Sequence, residues 1–186
     1  MGFDGPSQQF DPIGWATKVN PDDGRLMAPA PRLDKFVIDL ETFLLEERTG
    51  FPIIDSHTGE EIPVDMPTFS QDAIDCRYCY FLGACRPEGW FPFRSVVKVD
   101  LHSEKTWNWD GGDEQVCSEP MFVPRPRAKS EDDGFVLSIV HNSEDLTCHV
   151  MVWDAPSFDQ GPIAKVPLGD LLPWCVHGSW IPNYQP

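Results

Sequence analysis

Hydrophobic and polar side chains alternate with a period of two along most of the chain after residue 32. Such alternation between turn residues is typical of half-buried β-strands. Three segments each show an apolar strand that ends on Asp, a polar connection and a second strand: Phe36–Glu47, Ser95–Trp109 and Cys148–Leu168. The pattern predicts further strands at 76–84, 119–124 and 134–141, and no convincing amphipathic helix of about ten residues. We therefore predict an all-β chain.

The three hairpins resemble one another, because Asp39, Asp100 and Asp154 close their first strands. Their spacing is somewhat longer than the repeats of common β-propellers. A propeller closes with about four to eight blades, and this chain supplies about three. From periodicity alone, a β-sandwich with similar hairpins stays open. Residues 1–32, with five Pro and four Gly, are predicted to be an irregular lead-in to a folded region at 33–186.

Composition fits one globular domain, since 41% of the 186 residues are apolar and 12% are aromatic. The 14 basic and 30 acidic residues give a net charge of −16, which argues against general affinity for nucleic acid or anionic lipid. One basic cluster, Arg125, Arg127 and Lys129, precedes acidic residues and is predicted to be a solvated turn. We expect neither a membrane span nor a secretory signal, because no apolar run is long enough and residues 1–30 lack the signal pattern.

Cysteine usage favours reduced thiols, because six cysteines are spread along a chain without a recognisable leader. Cys76 and Cys79 have a spacing used by zinc sites. They lie in an aromatic-rich segment predicted to be a strand, where residues three apart face opposite sides of the sheet. We therefore do not expect zinc there.

The five histidines differ in their surroundings. His57 and His102 fall in polar turns, and we expect them to be exposed. His141 and His149 could face each other across a hairpin, which leaves a weak metal hypothesis. His177 lies in an apolar, aromatic stretch directly before a glycine, so we expect a buried imidazole that is either a core residue or a metal ligand.

Several segments along the chain together resemble those of one enzyme family. Ser118–Ser138 (SEPMFVPRPRAKSEDDGFVLS) and Val176–Trp180 (VHGSW) are similar to the C-terminal signature of that family. Arg32–Leu40, Phe51–Asp55 and Cys76–Tyr80 are similar to upstream family elements. These segments resemble the carotenoid cleavage oxygenases, a family that includes carotenoid and apocarotenoid dioxygenases, stilbene dioxygenases and the visual-cycle retinoid isomerase. The resemblance runs from about residue 30 to 182.

The resemblance implies the C-terminal blades of a seven-bladed β-propeller with one non-haem Fe(II) on its axis. In the family, four histidines hold the iron and outer glutamates orient three of them. His177 corresponds to the last iron ligand and Glu119 to an outer glutamate. The implied reaction is cleavage by O₂ of a carbon–carbon double bond in a carotenoid, apocarotenoid or stilbene-type substrate, giving two carbonyl products.

The chain also departs from the family pattern. The other three iron histidines come from earlier blades, and His57, His102, His141 and His149 lie outside their motifs. Val176 stands where Phe is common. Because one imidazole cannot hold Fe(II) tightly, we expect a truncated chain that is inactive alone. For a full-length protein we expect a cytoplasmic or plastid location.

Two other functional hypotheses remain at this stage. The chain could be a non-catalytic module that pairs exposed edge strands with another chain. Alternatively, four tryptophans could form a sugar-binding platform, although core packing explains their strand positions equally well: Trp90, Trp107, Trp109 and Trp153.

Overall fold

The computed structural model describes residues 18–19, 26–27, 31–70, 76–84, 93–170, 172–175 and 177–181. Regular structure there is nearly all β-strand, which confirms the all-β prediction. A short 3₁₀ helix, Ala155–Gln160, is the one helical element within these ranges. No described helix has the length and apolar character needed to cross a bilayer.

Two separate antiparallel pairs come first along the chain. Strands β1 (Lys18–Val19) and β2 (Leu26–Met27) pair within the predicted lead-in, most of which lies outside the described residues. Strands β3 (Leu33–Ile38) and β4 (Leu45–Phe51) form the first predicted hairpin. Its strands extend beyond the predicted segment at both ends, because Leu33 pairs with Phe51.

A four-stranded antiparallel sheet follows, with its strands in chain order. It consists of β5 (Val64–Thr68), β6 (Tyr78–Ala84), β7 (Phe93–Asp100) and β8 (Lys105–Asp110). Strand β7 is buried along nearly its whole length, as expected for a central strand with two paired neighbours. The hairpin pattern predicted β7 and β8, whereas β5 gave no strand signal because Pro67 interrupts it.

A five-stranded antiparallel sheet contains the rest of the described strands. They are β9 (Gln115–Cys117), β10 (Met121–Pro124), β11 (Gly134–Asn142), β12 (Thr147–Asp154) and β13 (Pro162–Asp170). Strands β9 and β10 both pair with β11, and β12 and β13 follow on its other side. The edge strand is thus interrupted at 118–120, between β9 and β10.

The largest buried apolar cluster draws side chains from both larger sheets. Tyr80 from β6 stacks against Phe122 from β10, with ring centroids 5.6 Å apart. Trp153 is fully buried, and its ring lies 5.0 Å from that of Trp109 in an edge-on arrangement. These two tryptophans are core residues, so the sugar-platform hypothesis is wrong for them; Trp90 lies outside the described residues.

The connection from β10 to β11 folds back on itself through ion pairs. Arg125 contacts Asp133 at 3.1 Å and Asp154 at 2.7 Å, and its guanidinium lies 4.2 Å from the centroid of the Phe135 ring. These two carboxylates raise the pKa of Arg125. The solvated-turn prediction is therefore wrong for Arg125, because the acidic residues that follow the turn return to bind it. It holds for Arg127 and Lys129, which are exposed.

Candidate functional site

A segment without regular structure follows β13 and returns to the interrupted edge strand. There, the Nδ1 atom of His177 lies 3.2 Å from Oε2 of Glu119. The main-chain N–H of Gly178 donates to the same oxygen at 3.3 Å. The structure thus brings together the two residues that the sequence resemblance singles out.

The break between β9 and β10 explains why Glu119 is available at this edge. Ser118 stays bound to β11, because its N–H donates to the carbonyl of Ile139 at 2.8 Å and its own carbonyl accepts from Ser138 Oγ at 2.6 Å. Pro120 follows and cannot donate a ladder hydrogen bond. Glu119 therefore lies between an anchored residue and a proline, and its side chain is 19% exposed.

The contact between the two side chains selects one tautomer of the imidazole. An ionised carboxylate accepts hydrogen bonds and donates none, so Nδ1 of neutral His177 must carry the proton. Nε2 then keeps its lone pair, which is the electron pair that a metal ion binds. A carboxylate on the second ring nitrogen also raises the basicity of the ligating nitrogen.

His177 is more exposed than its apolar sequence setting predicts. Its side chain is 74% exposed, and Trp180 and Ile181 after it are 53% and 62% exposed. The expectation of a buried imidazole is therefore wrong for the described structure. Apolar neighbours in sequence bury a side chain only when another layer covers them. The described part of this segment contacts Cys117, Glu119 and Met121 along one edge.

The turn histidines lie as expected. His57 and His102 are exposed, and their main-chain N–H groups donate to the carboxylates of Asp55 and Asp100. Among the described residues, neither histidine belongs to a group of side chains that could hold a metal ion.

His141 and His149, which the sequence left as a possible cross-strand pair, do not face each other. The register of β11 and β12 places His141 opposite Cys148 and His149 opposite Val140. A shift of one residue puts the two imidazoles on opposite faces of the sheet. His141 is buried, and burial lowers the pKa of its imidazole.

Cysteine does not provide an alternative metal site among the described residues. Cys79 is buried in β6, and burial raises the pKa of its thiol to about 12. Within the described ranges, no three His, Cys, Asp or Glu side chains are grouped as a metal site would require. One imidazole with its carboxylate fits one position of an iron centre.

One further contact at this site gave no signal in the sequence. The indole N–H of Trp174 donates to the main-chain carbonyl of Cys117 at 3.1 Å. Because the acceptor is a backbone atom, the identity of residue 117 does not reveal it.

Comparison with known proteins gives one consistent result. The model of the family described as retinal pigment epithelial membrane protein matches residues 7–182. Carotenoid cleavage dioxygenase 8 of Arabidopsis thaliana is 44% identical over 107 residues, covering 58% of this chain and 18% of the relative. The apocarotenoid-15,15'-oxygenase of Synechocystis sp. is 32% identical over 120 residues, covering 64% of this chain and 24% of the relative.

A third relative and a solved structure extend this result. Isoeugenol monooxygenase of Pseudomonas nitroreducens is 27% identical over 82% of this chain and 33% of the relative. A cobalt-substituted Synechocystis apocarotenoid oxygenase superposes with a TM-score of 0.71 at 27% identity, covering 81% of this chain and 30% of that one. The chain spans about a fifth of the length of the plant dioxygenases that it matches.

Proposed function

Since the chain belongs to the retinal pigment epithelial membrane protein family, that of the carotenoid cleavage oxygenases, we propose that it forms part of an Fe(II)-dependent oxygenase. The proposed substrate is a carotenoid or apocarotenoid, and the bond cleaved is one of its conjugated carbon–carbon double bonds. The contact between His177 and Glu119 carries this proposal.

In the proposed site, Nε2 of His177 is a ligand of the iron and Glu119 positions the ring. When bound, Fe(II) would supply the activation of O₂ that the reaction needs. The reaction balances without another reductant, because both oxygen atoms of O₂ enter the two carbonyl products. Glu119 keeps the proton on Nδ1, so the imidazole remains a neutral ligand with a fixed orientation.

Among the histidines of the chain, one is placed for this role, and we propose that the other ligands come from polypeptide outside these 186 residues. One imidazole binds a divalent ion weakly, since tight sites combine three or four ligands. We therefore expect the isolated chain to lose iron on desalting and to leave apocarotenoids uncleaved. The relatives' names support a conjugated alkene as substrate, and isoeugenol extends the class to propenyl phenols.

A chimera tests the role of His177 in a complete enzyme. This chain would replace the matching 30% of the Synechocystis apocarotenoid oxygenase, and the measurements would be metal content after desalting and O₂-dependent cleavage of an apocarotenal. We expect His177→Ala to lower both by at least about 100-fold, because loss of a ligand should exceed the roughly 10- to 100-fold effect of losing an outer residue. The control is His102→Ala, which removes an exposed turn histidine and should leave both unchanged. A chimera with His177→Ala that kept its metal and activity would contradict the proposal.

We also propose a second function, interaction with another chain through an open sheet edge. Strand β13 pairs with β12 on one side and has no other described strand beside it. Its residues Ile163, Val166 and Leu168 are 57%, 48% and 37% exposed. An exposed apolar edge strand readily pairs with another strand, and this function does not require metal.

A further inference from the structure

Trp174 joins the segment that carries His177 to the sheet at a second point. Its indole N–H donates to the carbonyl oxygen of Cys117 at 3.1 Å. Cys117 is fully buried and pairs with Val140 of β11. The acceptor therefore lies on an edge strand that is itself paired with β11.

We propose that Trp174 is a positioning residue for the metal-binding imidazole of His177. Its hydrogen bond sets the distance between the returning segment and the edge strand, so that Nδ1 faces Glu119 and Nε2 points away from it. This inference rests on the proposed function, because it assigns a second positioning residue to the same site.

Two anchored points enclose His177 along the chain. Trp174 is bound at Cys117, and Gly178 is bound at Glu119. The returning segment thus binds the edge strand once before His177 and once directly after it, so the main chain of His177 is held on both sides. With the first anchor removed, the described hydrogen bonds between this segment and the edge strand would be those that His177 and Gly178 make with Glu119.

Close approach at Gly178 supports the same geometry. A Cβ atom at this position would lie 3.2 Å from Sδ of Met121, which is tighter than ordinary contact between a Cβ and its neighbours. The glycine thus lets the returning segment lie directly against β10. The approach needs the segment to be held in place, and the hydrogen bond of Trp174 provides that restraint.

The need for a second anchor follows from the exposure of the imidazole. An ion-pair or hydrogen-bond contact between exposed side chains contributes little on its own, and the side chain of His177 is 74% exposed. Water competes with Glu119 for Nδ1 unless the backbone holds the ring nearby. A functional group gains its geometry from neighbours that are themselves fixed.

The test uses the full chain with ¹⁵N-labelled histidine and the variant Trp174→Phe, which keeps a ring and removes the N–H donor. The readout is the tautomer of His177 from its ring ¹⁵N shifts at about pH 8, where an ordinary imidazole is neutral. In the unaltered chain we expect the Nδ1–H form, and in the variant a shift to the mixture seen for a free imidazole. The matched control is Trp180→Phe, the same change three residues beyond His177, which should leave the tautomer unchanged.

Addition of Co(II) separates this inference from the proposed function. We expect Co(II) to broaden the ring signals of His177, with an apparent affinity about tenfold lower in Trp174→Phe, the lower end of the effect of outer residues on metal sites. Absence of broadening in the unaltered chain would contradict the metal-ligand role, while the tautomer would still report on positioning.

The positioning role would be overturned if Trp174→Phe kept the Nδ1–H tautomer, or if Trp180→Phe changed it equally. Should the phenylalanine variant unfold, benzothienylalanine placed at residue 174 serves instead. It has the shape of tryptophan with sulfur in place of the N–H, so packing is retained while the hydrogen bond is removed. The same tautomer change is expected, and an unchanged tautomer would again overturn the inference.

Discussion

Single aspartate side chains shape the turns that follow the strands. Asp39 accepts hydrogen bonds from the N–H groups two and three residues later, and Asp55 and Asp100 do the same. This is the local hydrogen bonding that makes aspartate a turn residue. The alternation pattern indicated Asp39, Asp100 and Asp154 as the ends of strands. Asp39 and Asp100 form such turns, whereas Asp154 binds Arg125 and precedes the 3₁₀ helix.

We expect Asp100→Asn to destabilise the protein by about 2 kcal/mol, the range for hydrogen bonds to a charged group. The Asp100 carboxylate is 4% exposed and also binds Arg77 at 2.7 Å, and the Arg77 hydrogen bond is the main reason that its pKa lies below the ordinary value. A lowered folded-state pKa stabilises the fold above the unfolded value of about 3.9 and loses that effect as the pH falls. Urea unfolding at a series of pH values should therefore show that the free energy of unfolding falls less between neutral and acid pH in the variant than in the unaltered chain.

The control for this prediction is Asp39→Asn, which changes the same kind of turn at an exposed hairpin. Its effect should be clearly smaller, because water replaces the lost interactions. Equal effects at both positions would mean that the Arg77 contact adds nothing.

For single residues, the sequence predicted which side chains form the candidate site better than it predicted their exposure and contacts. The resemblance indicated His177 and Glu119, and the two side chains are in contact. Their exposure was not predictable, since burial depends on which elements cover a segment. The contact of Trp174 was also not predictable, because it uses a backbone acceptor.

Among the elements, one lysine joins the two larger sheets. Lys98 lies on β7 with its side chain 3% exposed, and its ammonium binds Asp132 at 2.8 Å and the carbonyl of Ala155 at 2.7 Å. It also lies over the rings of Tyr78 and Trp107. Both polar partners belong to connections of the five-stranded sheet, so the lysine fixes that sheet against β7.

We expect Lys98→Met to lower the free energy of unfolding by about 2–4 kcal/mol, because it leaves a shielded carboxylate and a carbonyl without their donor. Urea denaturation measures the effect. The matched control is Lys105→Met, which removes an exposed ammonium that also lies over the ring of Trp107. In an Asp132→Asn background the cost of Lys98→Met should be smaller, and an unchanged cost would show that the ion pair is not responsible.

Strand positions were the most predictable part of the fold. The three hairpins and the strands at 76–84, 119–124 and 134–141 are present, with shifted ends. The sequence missed four strands: β1 and β2, two residues each in the predicted irregular lead-in, β5, which a proline interrupts, and β9, which has three residues. His141 and His149 are not opposite each other, because the turn sets the register of the two strands. A shift of one residue moves a side chain to the other face of the sheet.

For the whole molecule, exposed apolar residues on the open edge of the five-stranded sheet predict self-association. We expect the chain to associate at tens of micromolar in sedimentation velocity, and Val166→Lys to raise the dissociation constant at least about tenfold, because an edge lysine opposes strand pairing. Gln160→Lys is the control, since it adds the same charge at an exposed residue of the 3₁₀ helix. A monodisperse monomer in the unaltered chain would contradict the interaction function.

The family and the fold class were predictable from motifs that occur in order along the chain, and the comparisons confirm both. The surroundings of His177 in the proposed iron centre were not predictable, because one proposed ligand does not specify the positions of the others. The same reason makes the isolated chain a poor test of catalysis.

The most direct test of the central claim is the anomalous scattering of cobalt in crystals of the Co(II)-loaded chimera with the Synechocystis apocarotenoid oxygenase. The account predicts a cobalt peak about 2.1 Å from Nε2 of His177, a usual distance between a divalent metal and imidazole nitrogen, with Glu119 on Nδ1. A cobalt peak bound by other side chains, with His177 outside its coordination, would contradict it.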